Sequence, residues 1–234
     1  MKKNLSIWLF AAVIISGNVC YGQGNAYAAL YAQECIEAEA FYTEHRGLFE
    51  AAAWQTGCTP RFLFAIVAPE LTQFHHLHNR LETYMLKVLY VQNGASYADF
   101  SIGYFQIKPS FVEQLEAYAS ADTFLKARYA SCLFARPQER ASRVERIDRL
   151  CSVEWQVTYL ALFCEVVGRK FAIAFPTDEE KIRFYASAFN VGFRKPAHQI
   201  KAVHKASFPH FSTLKFNYAD ISVWFYNNPQ IKLN

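Results

Sequence analysis

The chain has little charge and almost no punctuation. Only 19% of its 234 residues are Asp, Glu, Lys or Arg, against 53% hydrophobic residues. That balance excludes a disordered chain and provides ample material for one buried core. There are no internal repeats and no low-complexity tracts or linkers, which excludes solenoids and arrays of tethered modules. No CxxC spacing occurs, which argues against a zinc knuckle, and no HExxH signature occurs either. After the first residues no stretch is long and apolar enough to span a bilayer. Excess charge of one sign is also lacking. The formal net charge is +4, and removing Lys2 and Lys3 lowers it to +2. A near-neutral chain gives no electrostatic footprint for nucleic acid, so no nucleic-acid partner is expected.

What is present begins with residues 1–22, which read as a secretory signal peptide. Lys2 and Lys3 form a basic start, Ile7 to Ile15 is a short apolar core, and Gly22 is a small residue before a cut that leaves Gln23 first. Val19 stands where a lipoprotein signal has a small residue, so lipidation of Cys20 is the less favoured route. The expectation is an exported protein of the periplasm or outer envelope, or one secreted outright. Residues 23–234 then form a single domain. Its cysteines, Cys35, Cys58, Cys132, Cys151 and Cys164, are odd in number. In an oxidising compartment the pairs to test are Cys132 with Cys151, around the charged stretch "RPQERASRVERIDR", and Cys35 with Cys58.

The periodicity is helical almost throughout. Residues 25–55 read as two helices or one broken near Gly47, ended by Gly57. Thr59-Pro60 opens an apolar, buried helix ending at Pro69-Glu70. Asn79 with Glu82, Ser110 with Glu113 and Thr177 with Glu180 have capping-box spacing. Asn93-Gly94 closes one helix, Ser152 opens a long one that Pro176 ends, and a last helix starts from Asp220 in an aromatic C-terminal extension. Residues 101–107 and 212–216 are the two strand-like stretches. The fold class is mostly α with a small β element.

Three segments carry candidate chemistry. Glu70 ends one of the most apolar stretches, where poor solvation raises a carboxyl pKa and keeps it protonated as a general acid. The segment "YADFSIGYFQIKPSF" holds Ser101, Gly103, Tyr104, Phe105, Gln106 and Ile107: polar groups for hydrogen bonds, rings to flank a ligand and a glycine for close backbone approach. "SAFNVGF" places Asn190 and Gly192 at a helix end, where both residue types tolerate left-handed backbone.

In their order, Glu70, then "SIGYFQIKP", then "AFNVG", these segments resemble the lytic transglycosylase and goose-type lysozyme group over Thr59 to Phe193. The resemblance implies a lysozyme-like helical domain that cleaves the β-1,4 bond between N-acetylmuramic acid and N-acetylglucosamine in peptidoglycan strands. It implies no cofactor and no metal. It makes Glu70 the acid, Ser101 to Ile107 the β-side wall of the cleft, with Phe105 in place of the usual Met, and Asn190 a cleft residue. Leu71 stands where the family has Ser, and Phe189 where it has Tyr; each departure removes a hydroxyl near the acid. Tyr185, one turn before Phe189, is the candidate replacement.

Asp99 is the second carboxylate to weigh. Strand alternation would put Asp99, Ser101 and Gly103 on one face. A second acid would make the enzyme a hydrolase; a turn role would leave Glu70 alone, as in a transglycosylase. The rival class is a glycan-binding or envelope-assembly protein that kept the fold without the chemistry. A monomer is expected. His75, His76 and His78 read as a solvated loop rather than a metal site.

Overall fold

The computed structural model describes residues 19–74, 76–203, 207–209 and 213–228, with side chains from Gln23 onward except at 76–78. The expected leader lies outside this range except for its last four residues, which open the first helix. The His75, His76 and His78 side chains also lie outside it.

The chain is mostly helical: α1 (Val19–Leu30), α2 (Ala32–Glu44), α3 (Arg46–Thr56), α4 (Pro60–Leu71), α5 (His76–Asn93), α6 (Pro109–Ala121), α7 (Thr123–Arg128), α8 (Arg140–Leu150), α9 (Val153–Phe171), α10 (Asp178–Val191), α11 (Ala197–Lys201) and α12 (Tyr218–Asn227), with a 3-10 turn at Ala130–Cys132. Among the described residues no single helix is long and apolar enough to cross a membrane.

Helix α4 is the axis of the core. Thr59 caps it by accepting from the Phe62 amide at 3.1 Å, and Pro60 occupies its first turn. Every residue from Phe62 to Pro69 is buried, so the helix has no polar face. Helices α2, α3, α10 and α12 pack around it. Each large apolar side chain buried this way stabilises the fold by about 1.5–3 kcal/mol. Helix α1 docks in turn on α12. Gly24 permits that contact, because a Cβ there would lie 2.6 Å from Trp224 Cβ. Gln23 Oε1 accepts from the Asn217 amide at 2.9 Å.

Several local expectations change in three dimensions. Residues 25–55 form parts of three helices, with breaks at Tyr31 and His45 instead of Gly47. Those two residues have φ/ψ of −117/44° and −102/17°, angles that need no glycine. Asn79 lies inside α5, and its side-chain oxygen accepts from the Gly103 amide at 2.7 Å instead of capping. Ser110 lies in the first turn of α6 after Pro109 and is bonded to Asp99. Helix α9 ends at Phe171, before Pro176, with Ala172 left-handed. Asn217 caps α12 by accepting from the Asp220 amide at 3.2 Å, so that helix begins at Tyr218.

Most of the charged stretch between Cys132 and Cys151 forms α8, and its Arg146 is fully buried. The guanidinium forks onto Glu116 at 3.0 and 2.6 Å and donates to the Tyr90 hydroxyl at 2.5 Å. That network ties α5, α6 and α8 together. Cys35, Cys58, Cys132, Cys151 and Cys164 are all free. Neither expected pair forms, and Cys58 hydrogen-bonds Cys164 instead.

No strand occurs among the described residues. Each strand-like stretch contributes to one isolated antiparallel bridge, Ile102 to Ile107 and Phe208 to Phe216. The first bridge closes a turn over Gly103 to Gln106, with reciprocal backbone bonds of 3.1 and 3.0 Å. Four residues between paired partners leave no ladder, so strand alternation does not govern Asp99, Ser101 and Gly103. Gly103 has φ +74°, and a Cβ on it would lie 2.4 Å from Leu150 O and 2.5 Å from Gln156 Nε2. Phe105 N donates to Gln156 Oε1 at 2.8 Å. The glycine therefore answers to the protein's own α8–α9 junction, where the sequence suggested a ligand.

Gly103→Ala combines positive φ with a backbone clash and should destabilise the protein by about 2 kcal/mol or more. The shift in urea midpoint at unchanged m-value measures it.

Candidate active site

The C-terminal end of α4, the 99–114 segment and the end of α10 enclose a pocket of about 470 Å³. Glu70 is in its wall. So are Asp99, Ser101, Gln106, Ile107, Phe189 and Asn190, which brings residues of all three sequence segments together.

Glu70 is half-buried in the last turn of α4. Burial pushes its carboxyl up to about 8, against a partial lowering by a hydrogen bond with Tyr218. The Tyr218 hydroxyl also bonds the Ile66 carbonyl at 3.0 Å. A phenol has one proton. Donated to the Ile66 carbonyl or to a Glu70 carboxylate, that proton serves one acceptor at a time. A carboxylate would also meet the negative end of the α4 dipole. Burial and the dipole favour the protonated form, and the Tyr218 bond opposes them in part.

Asp99 lies in the same wall, but both of its oxygens are engaged. Ser110 N donates to Oδ1 at 2.9 Å and Ser110 Oγ donates to Oδ2 at 2.6 Å. It acts as the cap that α6 lacks from Lys108, its own N-cap residue. A negative group there also suits the helix dipole.

Gln106 has φ +48°, a left-handed conformation uncommon for a residue with a side chain. Its Nε2 donates to Gly103 O at 2.8 Å, and the residue lines the pocket. The Ser101 hydroxyl and the Asn190 carboxamide have no side-chain hydrogen bond among the described residues. Phe189 closes the base of the wall against Phe111 and Phe163 at 5.4 and 5.5 Å.

Four sequence candidates are not in the wall. Gly103 is held in the turn against α9. Tyr104 packs on Phe74 and Phe41 at 4.4 and 4.8 Å. Phe105 is fully buried against Phe41 and Phe49. Tyr185 packs on Phe62 at 5.3 Å and also meets Phe175, in the core. The hydroxyl beside the acid comes from Tyr218 instead. The Asn217 and Asp220 capping spacing was the signal that would have placed Tyr218 in a first helical turn. The edge of α6 was also missed: Lys108, Phe111 and Gln114 recur every three residues and reach the same pocket.

A larger cavity of about 630 Å³ lies elsewhere along α10. There Arg183 pairs with Asp220, and the Asn217 side chain donates to the Val203 carbonyl. Among the described residues no group of three or more His, Cys, Asp or Glu is placed to hold a metal.

The raised Glu70 pKa has a stability signature. The folded state holds this proton up to about pH 8, whereas the unfolded chain releases it near 4.5. Stability therefore declines as pH rises between those values and is level above them. Glu70→Gln should remove the decline. Its Tm should exceed that of the parent by several degrees at pH 9 and match it at pH 4, as read by thermal melts across that range.

The chain matches no family model, no curated protein and no solved structure.

Proposed function

We propose that this chain is an exported lytic transglycosylase that cleaves the N-acetylmuramic acid to N-acetylglucosamine bond of peptidoglycan. The observation that carries the reading is a single carboxyl, raised to about 8, in a pocket wall made from all three motif segments. Glu70 as acid protonates the glycosidic oxygen while the bond to the anomeric carbon breaks. The muramic acid's own primary hydroxyl then closes onto that carbon and returns its proton to the Glu70 carboxylate. The products are a free N-acetylglucosamine end and an anhydro end, and Glu70 is regenerated in its acid form.

Only one carboxyl is needed in this route. An inverting or retaining hydrolase requires a second, free to take a water proton or to form a covalent bond. Both oxygens of Asp99, which caps α6, already accept from Ser110. The Tyr218 hydroxyl beside Glu70 compensates in part for Leu71 and Phe189, which weakens the case for a binding protein without chemistry.

Purified protein should release anhydro-ended muropeptides from peptidoglycan, detected by product mass. Glu70→Gln should lower the rate by about a hundredfold or more, the scale of a lost general acid. The rate should fall as pH rises through about 8, because the acid form is then lost. Products with reducing ends would mean hydrolysis, and an undiminished Glu70→Gln rate would sink the assignment.

A further inference from the structure

The pocket wall includes a cation that the three motif segments do not explain. Lys108 is the N-cap residue of α6, exposed at the rim, and it has no ion-pair or hydrogen-bond partner for its ammonium among the described residues. The other ionisable groups in the wall are Glu70 and Asp99, and neither pairs with Lys108. Glu70 holds a proton near neutral pH and Asp99 is bonded by Ser110. Two turns along the same edge of α6, Gln114 also faces the pocket with a carboxamide that has no partner there. Lys108 stands at the positive end of a 13-residue helix. Asp99 already occupies the amide end of that helix, so the Lys108 ammonium is the group left for an anion entering at the rim.

We propose that Lys108, with Gln114 beside it, binds the lactyl carboxylate that distinguishes a muramyl residue from N-acetylglucosamine, and so selects peptidoglycan over chitin-type glycans. This rests on the glycan-cleft reading above. The two sugars differ only by the lactyl ether on O3. Its acid is either free or continued into a peptide that carries carboxylates of its own. A neutral chitin strand gives an unpaired rim cation nothing to bind. Lys108 is a specificity residue here and takes no part in bond breaking.

The test is equilibrium binding to the full-length Glu70→Gln chain, which mimics the protonated acid and leaves ligands uncut. The probes are the peptide-free tetrasaccharide of alternating N-acetylglucosamine and N-acetylmuramic acid, and chitotetraose. The muramyl ligand should bind about three- to tenfold more tightly at low ionic strength. The preference should shrink in high salt, vanish when Lys108→Met is added and persist with Lys108→Arg. Thermal melts confirm that each variant is folded. If Lys108→Met keeps the preference, or if chitotetraose binds as well as the muramyl ligand before Lys108 is changed, the inference is overturned and the cleft reading stands. If neither glycan binds, both fall.

Discussion

The Tyr218 hydroxyl, which donates to the Ile66 carbonyl beside Glu70, is the contact on which the site depends. It joins α4, buried from Phe62 to Pro69, to the first turn of α12. An ionisable side chain is costly at the end of such a helix unless it is neutral and bonded. Tyr218 supplies the bond, and burial supplies the bias toward the protonated form. The same contact helps dock α12, on which α1 packs. The features that make Glu70 an acid near neutral pH are therefore also features of the core. A site assembled this way trades some stability at high pH for a carboxyl that holds its proton.

The opposite wall is fixed by a different device. The turn over Gly103 to Gln106 is too short to be a sheet, so it is held from outside. Asn79 of α5 holds the Gly103 amide and Gln156 of α9 holds the Phe105 amide, while the Leu150 carbonyl leaves no room for a Cβ. Pinning the turn on both sides stabilises Gln106 in its left-handed conformation and sets Ser101 and Ile107 in the wall. Asp99 does the same for α6, whose edge carries Lys108 and Gln114 into the pocket. The polar residues around the site divide into those that build the wall and those left free to meet a ligand.

Much of the helical framework was legible because its signals are local. Thr59-Pro60, Gly57, Gly94 and Thr177 mark helix ends through bonds or dihedrals within a few residues of themselves. The same spacing rule failed at Asn79 and Ser110, where a tertiary partner outcompeted the local amide. Gly103 was legible as a position that needs close approach, but sequence cannot say what approaches. The acid was found from its apolar surroundings. Tyr218 was not, because the residue that contacts Glu70 is 148 positions away along the chain, and no periodicity reports such a distance. Phe105 and Tyr185 failed for the converse reason. The Phe105 ring was read as a ligand contact and the Tyr185 hydroxyl as a replacement beside the acid, and here both side chains fill the core. The helical class is established, while the lysozyme-like topology belongs to the proposal.

The central claim is that Glu70 is a neutral acid at physiological pH because its carboxyl is desolvated at the end of α4, against the opposing effect of the Tyr218 bond. Carbon-detected NMR titration of the side-chain carboxyls, with Glu70 assigned by its absence in Glu70→Gln, tests this most directly. The account predicts a Glu70 midpoint near pH 8, rising further in Tyr218→Phe as the bond that favours the carboxylate is lost. A midpoint near the ordinary glutamate value of about 4.3 would contradict it.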